Sequence, residues 1–113
     1  MKPGELVLVR FPEADLAAGK LRPALVVAVA PGRYPDVLLA LVTSRGYQEV
    51  AKFDEVIEPL DADFAATRLK TRSVVRLARL VSVDASVVEG RLGAISSSRL
   101  TRIRERLIAW LSQ

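Results

Sequence analysis

Apolar residues in this chain gather in short runs bounded by glycine, proline and acidic residues. Two early runs, Glu5–Phe11 and Ala24–Ala30, are rich in Leu and Val. Continuous apolar character over that length suits strands buried on both faces or lining a barrel interior. Pro31-Gly32 closes the second run, and Tyr34-Pro35-Asp36 supplies turn residues before Val37–Thr43. Strands two and three are therefore expected as a hairpin. Between Tyr47 and Pro59, Val50, Phe53, Val56 and Ile57 are spread among charged residues, which predicts one weak strand ending at Pro59. Ser73–Val83 mixes β-branched residues with Arg76 and Arg79 and predicts one long or bent strand. Asp84 is placed to cap a short helical turn and Gly93 to stop it.

From Ser98 the period changes. Leu100, Ile103, Leu107, Trp110 and Leu111 fall on one helical stripe, with Arg99, Arg102 and Arg106 outside it. That pattern predicts a serine-capped amphipathic terminal helix, with Trp110 in the core or at a subunit contact. Short strands in series followed by one late helix argue for a mainly β fold with a C-terminal α-helix, built on a small curved sheet or barrel, and against a doubly wound one. No repeat, low-complexity tract or linker divides the chain, so residues 1–113 are expected to form a single domain.

Composition narrows the chemistry. With neither cysteine nor histidine, the chain has no thiolate and lacks the commonest metal ligand and acid–base side chain. The apolar runs are too short to span a bilayer and the N-terminus has no signal-like segment, so a cytoplasmic location without membrane contact is the default. The net charge of +4 is uneven: residues 1–67 carry 7 Lys/Arg against 10 Asp/Glu, and residues 68–113 carry 10 against 3. The second part, at +7, is the electrostatic candidate for a polyanion or an acidic partner.

If strands two and three pair, the start of one meets the end of the other, and Arg22 and Thr43 share a rim. A guanidinium offers paired donors to phosphate oxygens, and a hydroxyl adds one hydrogen bond. Together they suit a phosphate whose charge grows as a neighbouring 2′-OH attacks phosphorus, a reaction that needs no metal. Residue types alone leave a plainer reading open, of a strand-end cation and an ordinary β residue. Lys20, on the loop before Arg22, could meet phosphates or simply be solvated. Tyr47 is the better candidate for stacking a base.

The order and spacing of several segments resemble the PemK/MazF family, the toxin half of bacterial toxin–antitoxin pairs. They are the Gly4–Pro12 opening strand, Asp15 in the next loop, Arg22-Pro23-Ala24, Thr43-Ser44, Leu69-Lys70-Thr71-Arg72-Ser73-Val74-Val75-Arg76, and Leu92-Gly93-Ala94-Ile95. The resemblance implies an SH3-like small β-barrel with a C-terminal helix, working as a homodimer. It further implies a metal-independent, sequence-specific endoribonuclease, without cofactor, that cleaves single-stranded mRNA and inhibits growth until a cognate antitoxin with an acidic flexible segment binds it. Arg22 and Thr43 take the catalytic positions, with Lys20, Ser44, Arg45 and Arg76 as RNA contacts. Some members pair the arginine matching Arg76 with an acid two positions on, where this chain has Ala78; Arg76 is accordingly assigned to phosphate contact. An arginine stays protonated at ordinary pH, so the general base is another group, with Glu13, Asp15 and water as the choices. Two rivals stand: a catalytically inactive RNA- or antitoxin-binding module of the same fold, and a small nucleic-acid-binding barrel outside the family.

Overall fold

A computed structural model describes residues 1–10 and 20–113. Glu13 and Asp15, the two carboxylates considered as base, lie outside the described residues, as does most of the loop that carries them. The strands are β1 (Glu5–Val9), β2 (Arg22–Val29), β3 (Asp36–Thr43), β4 (Glu55–Ile57), β5 (Ser73–Asp84) and β6 (Gly90–Ala94). The helices are α1 (Phe64–Thr67) and α2 (Ser97–Leu111). All strand pairings are antiparallel, in the order β4-β5-β3-β2-β1-β6, forming a curled half-barrel followed by the terminal helix.

The unbroken apolar runs have the expected cause. Along β2, alternate residues serve two cores, Leu25 and Val27 on one face and Ala24 and Val26 on the other. The first core takes in Val42, Val75 and Leu77 together with Ile103 and Leu107 of α2. The second is extended by Val81, Val83 and Val88. β5 serves both because it is bent: its register against β3 jumps between Ala40, opposite Leu80, and Leu41, opposite Arg76. Such a bulge sharpens the local twist and re-aims the side chains on either side.

Two expectations are corrected. Gly93 does not stop a helix. The turn at Ala85–Val87 is present, with the Asp84 side chain accepting from the Ser86 amide at 2.8 Å, but the chain then forms β6 against β1. A Cβ at Gly93 would collide with the backbone carbonyls of Ala66 and Thr67, so glycine is required where β6 passes α1. Second, Arg99 does not face solvent. Its spacing to Ile103 and Leu107 puts it on the buried stripe, at 4% exposure, while Leu111 at the helix end is 73% exposed. Trp110, half-buried, packs edge-on against Phe53 beside the first core, with ring centres 5.2 Å apart.

Much of the basic C-terminal part is paired within the molecule, while Arg68, Lys70 and Arg79 stay exposed. Arg99 binds Glu55, Asp61 and Asp63, all at 2.8 Å, and Arg102 and Arg106 also reach Glu55. Arg72 pairs with Glu49 and Glu58, Arg76 with Asp54, and Arg91 with Glu5. The acidic first part and the basic second part are complementary halves of one fold.

Candidate active site

The β2–β3 hairpin builds the site. Ala24 lies opposite Leu41, and carrying that antiparallel register to the strand ends sets Arg22 opposite Thr43. Val9 flanks Arg22 on β1 and Val74 flanks Thr43 on β5, both buried. The strand ends are thus fixed by core packing, while Arg22 and Thr43 themselves stay half-buried. Beyond Thr43 the chain turns at once. The Arg45 amide donates to Thr43 Oγ1 at 3.0 Å, and a 3₁₀ turn follows at Gly46–Gln48. With its oxygen already accepting, the Thr43 hydroxyl retains its proton for donation to a ligand.

Two hollows flank this rim. The smaller, about 40 Å³, is lined by Arg22, Leu41, Val42, Thr43, Arg45 and Gln48. That is room for about three water-sized atoms, the scale of phosphate oxygens. The larger, about 500 Å³, shares Arg22, Val42 and Thr43. Its apolar surface comes from Leu8, Pro23, Leu69 and Leu92, and its polar edge includes Ser44, Arg68 and Lys70.

Arg22 and Thr43 line both hollows, Arg45 the smaller and Ser44 the larger. Lys20 is exposed two residues before Arg22 and is not among the residues lining either hollow. Arg76 stands one layer back. Its side chain is 15% exposed, with Nε 3.2 Å from Asp54 Oδ2 in an ion pair that lacks hydrogen-bond alignment, and Nη1 donates to Gln48 Oε1 at 3.2 Å. The carboxylate beside Arg76 thus comes from across the sheet, since the β4–β5 register of Glu55 opposite Val75 leads on to Asp54 opposite Arg76. Sequence reading missed Asp54, Gln48 and Arg68. Only the pairing of a three-residue strand would have revealed the first, and nothing in the residue pattern marks the other two. Tyr47, the stacking candidate, is 80% exposed in the 3₁₀ turn. Among the described residues no group of three or more His, Cys, Asp or Glu is placed to hold a metal ion, and no helix is long and apolar enough to cross a membrane.

Among solved structures, the Mycobacterium tuberculosis toxin MazF-mt6 is similar in fold, with a TM-score of 0.68 over 96% of each chain at 15% identity. No curated protein sequence matches. The family model described as the PemK-like, MazF-like toxin of type II toxin-antitoxin systems matches residues 2–111. With nearly its whole length matched, and with its half-barrel and terminal helix arranged as in a MazF toxin, the chain belongs to the PemK/MazF family of type II toxin–antitoxin toxins.

Proposed function

We propose that this toxin is an endoribonuclease that cleaves single-stranded mRNA at sequence-selected sites without a metal, and that it arrests growth in the cytoplasm. The observation that carries the reading is the Arg22–Thr43 rim, where a guanidinium and a hydroxyl line a hollow the size of phosphate oxygens. The 2′-OH of one nucleotide attacks the adjacent phosphorus while the bond to the 5′-oxygen of the next nucleotide breaks. The attacking hydroxyl loses its proton to a base and the leaving oxygen gains one. Negative charge grows on the non-bridging oxygens, where Arg22 and Thr43 donate. Ser44, Arg45 and Lys20 supply further donors to neighbouring phosphates, and Arg76 adds positive charge from behind. An unpaired strand is needed because a base has to leave its stack to enter the larger hollow, whose Leu8, Pro23, Leu69 and Leu92 surface suits a base face.

The partners in this reading are a second copy of the chain and a cognate antitoxin whose acidic flexible segment covers the rim. Arg22→Ala and Thr43→Ala are each expected to lower cleavage of single-stranded RNA by about 10²–10³-fold, with unfolding midpoints unchanged and wild-type cleavage persisting in excess EDTA. Full activity in either folded variant would overturn the assignment. RNA binding without cleavage by the wild type would favour the inactive binding module.

A further inference from the structure

The geometry points to Asp54 and Arg76 as positioning residues that hold the Gln48 amide with its two N–H donors turned into the small hollow, which makes Gln48 a neutral donor to the bound phosphate. This rests on the proposed RNA-cleaving reading, because it assigns the hollow an anionic occupant. Asp54 is the anchor. Its side chain is fully buried and accepts from the Val50 amide at 2.8 Å and the Leu77 amide at 2.9 Å. It is thereby fixed to the loop before β4 and to β5 together. Arg76 lies against it, held by charge at 3.2 Å. The outer nitrogen of Arg76 donates to Gln48 Oε1. A carboxamide has one accepting oxygen and one donating nitrogen on opposite sides of the same carbon. Committing the oxygen to Arg76 turns the nitrogen the other way, and Gln48 lines the hollow with Arg22, Thr43 and Arg45. Without Arg76 the amide could rotate and present its oxygen, a repulsive group for a phosphate.

The arrangement gives the buried pair a purpose that salt bridging alone would not. Breaking a buried pair is strongly destabilising, yet the pair itself is weak evidence of stabilisation. The third member, half-exposed at the hollow, is where it acts. It also changes the role of Arg76, from direct phosphate contact to control of the residue in front of it.

The decisive variant is Gln48→Glu, which keeps an oxygen for Arg76 and replaces the donor with a second, anionic oxygen. Initial rates are measured on a mixed-sequence single-stranded RNA, with thermal unfolding as the fold control. Gln48→Ala is expected to raise KM about tenfold, the worth of one hydrogen bond to a charged group, and Gln48→Glu to raise it further, both at unchanged unfolding midpoint. Arg76→Met is expected to raise KM at least as much as Gln48→Ala and, because buried Asp54 loses its partner, to lower the unfolding midpoint, while adding Gln48→Ala to it should change KM no further. Multiplied effects in the double variant, or wild-type KM in Gln48→Glu, would overturn the proposal. A readout independent of RNA separates it from the parent reading: side-chain amide NMR should show the Gln48 NH₂ ordered in the wild type and mobile in Arg76→Met. An ordered amide that loosens on losing Arg76, in a protein that cleaves no RNA, would sink the endoribonuclease reading and leave the positioning intact. An amide equally mobile in both, in a protein that cleaves RNA, would do the reverse.

Discussion

Replacing Arg99 with methionine is the sharpest test of how the two halves of the chain hold each other. Arg99 is 4% exposed and its guanidinium makes five hydrogen bonds: two to Asp63, at 2.9 and 2.8 Å, and one each at 2.8 Å to Asp61, Glu55 and the Val56 carbonyl. Methionine fills much of the volume and satisfies none of them. Asp63, with a 10% exposed side chain, keeps the Ser96 amide, at 2.9 Å. Glu55 retains Arg102 and Arg106. Asp61, 35% exposed, returns to water at little cost. The loss is therefore that of one partner from a buried ion cluster, about 3–5 kcal/mol, a large share of the ~5–15 kcal/mol that stabilises a domain. At about 2.1 cal/mol/K of unfolding entropy per residue, this lowers the thermal midpoint by about 13–21 °C. The control is Arg102→Met, whose side chain is 49% exposed and whose partner Glu55 keeps two other arginines; it should cost less than about 1 kcal/mol. Urea and thermal unfolding at pH 7 measure both. A loss below about 1 kcal/mol for Arg99→Met, or parity between the two variants, would refute the reasoning.

Other outcomes follow from the same packing. Gly93→Ala should cost about 1–3 kcal/mol or more by driving a methyl group into the α1 carbonyls; Gly90→Ala, where a Cβ meets nothing within 4 Å, should be close to neutral, and equal unfolding midpoints would contradict the close approach. Stability should fall with acid. Arg99 hydrogen bonds hold the Asp63 carboxyl well below its ordinary range despite its partial burial. The Glu58 amide, and then Arg99, lower Asp61, and the Lys2 amide, and then Arg91, lower Glu5. A depressed folded-state pKa stabilises above the unfolded value of about 3.9–4.3 and is lost as pH drops through and below it. The urea midpoint should therefore decline from pH 5 to pH 3, less steeply in Arg99→Met, and a flat profile would refute this. With Ile108 64% and Leu111 73% exposed on α2, a homodimer is expected at micromolar concentration, and a monomer by light scattering throughout that range would exclude it.

What the sequence disclosed depended on period. β1, β2, β3, β5 and α2 carry enough Leu, Val and Ile at regular spacing to declare themselves, and the Arg22–Thr43 rim follows from one hairpin. β6 is Gly-Arg-Leu-Gly-Ala, with a single large apolar residue. It is a strand because β1 offers an open edge and Gly93 lets it pass α1, which are facts of assembly rather than of local pattern. The charge of Arg99 argues for the outer face of α2, although its spacing to Ile103 puts it on the buried stripe. The −3 and +7 halves are real in the sequence, yet long-range pairing cancels much of what looked like a binding face. Asp54 became visible only once β4 was set against β5.

That cancellation has a consequence for any acidic segment arriving from solution. Glu55, Asp61 and Asp63 already occupy Arg99, Arg102 and Arg106 in the manner of a bound peptide, except that they are part of the same chain. A tethered rival acts at an effective concentration on the order of millimolar or higher, so a micromolar competitor offering the same carboxylates does not displace it. Three of the four arginines on the terminal helix are occupied in advance. The exposed Arg45, Arg68 and Lys70 around the hairpin rim have no such built-in partner among the described residues, so on the proposed endoribonuclease reading an RNA strand and an acidic protein segment would contend there for the same few cations.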